Sequence, residues 1–95
     1  MHVSFEWDAD KEKVNLKKHG VSFEEACSVF CDQNAVEYYD TAHSIKEDRF
    51  LMLGLSENIR ILLISYTVRK AKSDITIRII SARKATKKES KHYKG

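Results

Sequence analysis

Apolar and polar positions alternate along much of this chain with the two-residue period of extended structure. Val3, Phe5 and Trp7 alternate against Ser4 and Glu6, which predicts a short strand over residues 3–7. Further strands are expected over residues 35–39, 49–55 and 60–68, and another from residue 74, where Ile75, Ile77 and Ile79 share one face. That isoleucine face belongs in a core, and Thr76, Arg78 and Ile80 fall on the other. Residues 60–68 are apolar on both parities in their middle, as in a central strand covered on one face and partly on the other. Gaps at residues 56–58 and 70–73 are too short for a crossover helix, so the last three strands form an antiparallel meander.

Helical signals interrupt this pattern. Asp8 is placed to cap a weakly amphipathic helix over residues 9–19, and Gly20 can take the left-handed conformation that closes it. Ser22 and Glu25 have capping-box spacing ahead of a second helix, with Val21 set to staple onto Ala26. Phe23, Ala26, Cys27 and Phe30 make one apolar stripe suited to lying on a sheet. Thr86 and Glu89 form another capping box, which starts a basic C-terminal helix. The pattern predicts one α+β domain over residues 1–95: two N-terminal helices on an antiparallel meander sheet, then a C-terminal helix.

Charge sharpens the picture at one end. The 95 residues carry a net +3, but Arg83, Lys84, Lys87, Lys88, Lys91 and Lys94 against Glu89 put +5 on residues 83–95, leaving −2 for the rest. Such asymmetry suits an acidic partner, either nucleic-acid phosphate or a protein surface, and equally a solvated helix face. No signal-peptide pattern is visible, and no uninterrupted apolar run exceeds Ile61 to Ile64, so no membrane segment and a cytoplasmic location are expected. Cys27 and Cys31 lie one helical turn apart without a second ligand pair; no metal is implied, and Cys27 reads as a small core residue.

No phosphate loop or nucleophile elbow is present. The polar residues left over are Lys18 and His19 at a helix end, Glu47 and Arg49 at a strand start, Arg69 at a strand end, and Arg78 and Arg83 in the final element. They supply what RNA cleavage through the 2′-hydroxyl requires: a base, an acid, and cations over the pentavalent phosphate. An imidazole can do acid or base work, though His19 could equally satisfy the last carbonyls of its helix. Glu47 could be a base or the ion-pair partner of Arg49. Arg49, Arg78 and Arg83 can grip phosphate bidentately, and the tyrosines offer stacking surfaces for unpaired bases.

Three motifs in order give these residues a context. FEWDADKEKVNLKKHGVSFEEACSVF at residues 5–30, EDRFLMLG at 47–54 and RIISARKATKKE at 78–89 together resemble the signatures of the BrnT family of bacterial toxins. The resemblance covers nearly the whole chain. It implies a RelE-like fold and a type II toxin: an endoribonuclease needing no cofactor, which cuts RNA and arrests translation and growth until neutralised. It also implies a BrnA-type ribbon-helix-helix antitoxin as partner, through which the toxin reaches operator DNA. Carried onto this sequence, it places Lys18, His19, Glu47, Arg49, Arg78 and Arg83 at the RNA site; separately, the basic residues Arg69, Lys84, Lys87, Lys88 and Lys91 are expected to contact RNA or antitoxin. Two other readings stay open from sequence: a non-catalytic RNA- or partner-binding module of this fold, and a toxin aimed at a protein such as gyrase.

Overall fold

The computed structural model describes residues 2–95. In chain order it comprises β1 (His2–Glu6), α1 (Ala9–His19), α2 (Phe23–Ser28) running into a 3-10 turn at Val29–Cys31, β2 (Val36–Tyr39), a second 3-10 turn at Thr41–His43, β3 (Phe50–Leu55), β4 (Ile61–Ala71), β5 (Asp74–Lys84) and α3 (Lys87–Ser90). The five strands form one sheet in the order β1-β5-β4-β3-β2. Strands β3 to β5 are the expected antiparallel meander, and β2 extends it by pairing antiparallel with β3. The strand expected ahead of the helices is β1, but the expectation of a purely antiparallel sheet needs correcting: β1 pairs parallel with β5, Phe5 opposite Ile77 and Glu6 opposite Arg78. The connection between β1 and β5 runs through both helices and the other three strands, α1 and α2 carrying the chain from β1 at one edge of the sheet to β2 at the other. The C-terminal helix is a single turn.

Local signals set the helix ends. Asp8 accepts from the backbone N–H groups of Asp10 (2.8 Å) and Lys11 (3.2 Å), contacts that hold its carboxyl below the usual range. Gly20 closes α1 at φ 68°, donating to the Leu16 carbonyl at 2.8 Å. At α2 only half of the expected capping box forms. Ser22 accepts from Glu25 N–H at 3.0 Å, but the Glu25 carboxylate turns away to Arg60 and to Ser56 Oγ (2.7 Å). Arg60 also donates to the Gly20 carbonyl at 3.0 Å, so this buried carboxylate ties the β3–β4 turn to both helices. The box at Thr86 and Glu89 is complete.

The core lies between the helices and one face of the sheet. Val21, Phe23, Ala26 and Val29 pack on Leu62, Ile64, Tyr66, Ile77, Ile79 and Ala82, with Cys27 and Phe30 at its margin. Burial pushes the Cys27 thiol up to about 11, as expected of a packed rather than reactive cysteine. Gly54 allows close approach: a Cβ there would stand 2.8 Å from Val29 Cγ1 and 2.9 Å from Ala35 Cβ. No helix among the described residues is long and apolar enough to cross a membrane.

One irregularity in β5 governs the other face. Ile79 pairs with Tyr66 and Ser81 with Ser65, so Ile80 is an extra, unpaired residue, a β-bulge. The buried positions accordingly switch parity, from Ile77 and Ile79 before it to Ala82 after it. Asn15 of α1 secures the strand beyond the bulge: its side-chain amide donates to the Ala82 and Val21 carbonyls (2.8 and 2.9 Å), and its carbonyl accepts from Ala82 N–H at 3.1 Å.

Candidate functional site

The face of the sheet opposite the core is uncovered apart from α3 at one end, and the polar residues of interest gather there. A cleft of about 330 Å³ is lined by Asp40, His43, Arg49, Leu51, Leu63, Ser65, Ile80, Ser81, Arg83 and Glu89. The bulge explains the contribution of β5. Because Ile80 is extra, Ser81 and Arg83 replace even-numbered residues on the open face, which a regular strand would not allow.

The loop between β2 and β3 supplies the other wall. Ser44 closes its base, donating to the Asp40 carbonyl at 2.6 Å and accepting from Arg49 N–H at 2.9 Å, while Asp40 N–H donates to the Arg49 carbonyl at 2.9 Å. These bonds set Arg49 at the start of β3 across from Asp40. Asp40 Oδ2 lies 2.9 Å from His43 Nδ1, and the imidazole is 67% exposed while the carboxylate is 13% exposed. A carboxylate can only accept, so it places a proton on Nδ1 and leaves the lone pair of the neutral ring on Nε2. The guanidinium of Arg49 has no hydrogen-bond partner among the described residues and is half-buried in the same cleft.

The sequence-predicted residues separate into distinct groups around this cleft. Arg49 and Arg83 line it directly. Lys18 and His19 line a neighbouring depression between α1 and the bulge, joined to the cleft through Ile80 and Ser81. Glu47 lines a third hollow on the far side, which shares His43 and Arg49 with the cleft, and no Glu47–Arg49 ion pair forms among the described residues. Arg78 lies outside all three: Nη1 donates to Glu6 Oε2 of β1 at 2.5 Å. Arg83 is also engaged, bidentate to Glu89 at 2.7 and 2.9 Å. The guanidinium holds the Glu89 carboxyl down at about 2. Arg69, Lys84, Lys87, Lys88 and Lys91 are all exposed, with Lys87 and Lys88 on α3 and Lys91 just beyond it.

Sequence reasoning missed His43 and Asp40. The signal was present as an aspartate and a histidine three residues apart, ahead of Glu47 and Arg49, but without known loop geometry that spacing is common to many turns. Among the described residues no three His, Cys, Asp or Glu side chains gather as metal ligands would.

A family model described as "Ribonuclease toxin, BrnT, of type II toxin-antitoxin system" matches residues 7–89. No curated protein matches the sequence. Among solved structures, the fold is similar to the 1.1 Å crystal structure of the Brucella abortus ribonuclease toxin BrnT, with a TM-score of 0.66 and 22% identity over 90% of this chain and 99% of that one. At that identity the likeness carries the fold alone.

Proposed function

The chain belongs to the BrnT family of ribonuclease toxins of type II toxin-antitoxin systems, and from that premise we propose that it is an endoribonuclease whose centre is the cleft holding His43 and Arg49. The observation that carries this reading is that one cleft holds an imidazole oriented by a carboxylate beside a guanidinium with no partner among the described residues. Family membership implies an antitoxin partner and an RNA substrate.

The reaction this arrangement suits needs no metal. His43 Nε2 removes the proton from a ribose 2′-hydroxyl, O2′ attacks the adjacent phosphorus, and the bond from phosphorus to O5′ breaks. Arg49 offers N–H donors and charge to the phosphate oxygens as the pentavalent state forms. A proton delivered to O5′ completes the step, giving a 2′,3′-cyclic phosphate and a 5′-hydroxyl. His43 takes the base role that sequence alone assigned to Glu47 or His19, because it shares the cleft with Arg49. Glu47, Lys18 and His19 stand in adjoining hollows, suited to the leaving-group proton and to flanking phosphates. Arg83 serves there once its pairing with Glu89 opens, and Arg78 contributes through β1 rather than by touching phosphate. Loss of growth by translation arrest, a RelE-like ancestry of the fold, and a BrnA-type ribbon-helix-helix antitoxin that carries the toxin to operator DNA complete the reading. In it, the exposed lysines of the C-terminal end meet RNA or antitoxin.

The test is to incubate the purified chain with a defined RNA in chelator and identify the product ends. Cyclic-phosphate and 5′-hydroxyl ends from the wild type, and none from His43→Ala, are expected. Ends bearing a 5′-phosphate, or cleavage abolished by the chelator, would overturn the mechanism.

A further inference from the structure

The open face carries a second concavity that the cleavage chemistry does not use. On the β2 side of the cleft lies a recess of about 160 Å³, lined by Tyr38, Leu51, Leu53, Leu63, Glu89 and His92. Leu51, Leu63 and Glu89 also line the cleft, so the two spaces are continuous. Half of the lining is leucine, with Leu53 1% exposed, and Tyr38 and His92 contribute two aromatic rings. Tyr38 is 39% exposed, and its hydroxyl makes no hydrogen bond among the described residues. Glu89 adds the one fixed anion. Its Oε2 accepts from Arg83 Nη2 and keeps a lone pair free.

Such a space suits neither a phosphate nor a metal ion. A nucleobase has the matching chemistry, with apolar π-faces and edges that carry N–H donors. We propose that this recess is a nucleobase subsite, taking the base of a nucleotide that adjoins the phosphate held at Arg49. Tyr38 stacks on the base, the leucines exclude water beneath it, and Glu89 accepts from a donating edge. The proposal rests on the ribonuclease reading and gives it a source of base preference.

The experiment uses an RNA whose cleavage position has been mapped, made uncleavable by a single 2′-deoxy substitution at the attacking ribose. A matching set places an abasic residue on either side of the scissile phosphate. Fluorescence anisotropy of the wild type should show binding about tenfold weaker or more when one flanking base is removed. Tyr38→Ala should lose a similar factor on intact RNA and no further factor on that abasic RNA, while Tyr38→Phe binds as the wild type does. The abasic series reads the subsite on the unaltered protein, so the result does not depend on how well a variant folds. Indifference of the wild type to both abasic positions, or equal losses by Tyr38→Ala on intact and abasic RNA, would overturn the subsite. So would a Tyr38→Ala protein that binds and cleaves RNA normally but escapes its antitoxin, which would make the recess a protein-docking surface. A wild type that cleaves no RNA would overturn the ribonuclease reading itself, whereas cleavage with base-indifferent binding removes the subsite alone.

Discussion

On the helix-covered face of the sheet, polar side chains are consumed inside the protein, whereas on the open face some are left without partners. Asn15 satisfies two carbonyls and an N–H, and Glu25 is shared between Arg60 and Ser56. Opposite them, Arg49 stands without a partner among the described residues, in a cleft beside an exposed imidazole. The arginines make the difference plain. Arg60, Arg78 and Arg83 each hold a glutamate, from α2, β1 and α3 respectively, and Arg49 holds none among the described residues. A guanidinium that already has its carboxylate stabilises the fold. One that lacks it is set to meet a substrate anion.

The largest expected effects fall on the open face and on rate. His43→Ala should slow single-turnover RNA cleavage by about 10² to 10⁴, and Arg49→Ala by about 10² to 10³, both with melting temperatures near the wild-type value. Arg78→Ala should retain most of its activity, because its guanidinium is committed to Glu6 outside the cleft. Equal rate losses for Arg49→Ala and Arg78→Ala would erase the distinction drawn between them.

The helix-covered face should answer with stability instead. Arg60→Ala leaves the Glu25 carboxylate, 4% exposed, without its guanidinium. Breaking a pair of this kind costs about 3 kcal/mol, read as a fall of roughly 10–20 °C in Tm. Cleavage below the melting transition should be unchanged. A rate loss comparable to that of Arg49→Ala at temperatures where the variant is folded would show that the two faces are not separate in function.

The smallest effect sits where α3 closes over the open face. Glu89 has its carboxyl depressed from 4.5 to about 2, chiefly by the hydrogen bonds from Arg83. A depressed carboxyl stabilises the fold fully above about pH 4.5 and loses that contribution as pH falls toward 2. Both partners are about a third exposed, so screening reduces the worth of the pair to about 1 kcal/mol. The Tm of the wild type should therefore exceed that of Glu89→Gln by a few degrees at pH 6, and the gap should shrink between pH 4.5 and 2. A gap that stays constant across that interval would assign the difference to the capping box rather than to the ion pair.

Much of this molecule was legible in the chain because its signals are short-ranged. The Asp8 and Gly20 ends of α1, the Ser22 start of α2, the complete Thr86–Glu89 box and the three-strand meander follow from residues a few positions apart. The three motifs pointed to the family that the matched model then showed. Where sequence reasoning failed, the missing information lay at a distance. The stretch 3–7 reads as a strand, but nothing near it says that it pairs in parallel with residues more than seventy positions away. Glu25 has the spacing to complete a capping box and is drawn off by Arg60, thirty-five residues on.

What the sequence determined by itself was the set of elements, their ends and their kinship, since capping, periodicity and turn chemistry act through neighbouring residues. The tertiary structure alone decided which arginines are neutralised and that, among the described residues, Arg49 in the cleft and the exposed Arg69 are not, because that depends on which carboxylates packing brings opposite them. It alone placed the Ile80 bulge that turns Ser81 and Arg83 onto the open face, since a bulge exists only relative to the strand it faces. And it alone joined His43 to Arg49, because loop closure by Ser44 gives that histidine a site to face.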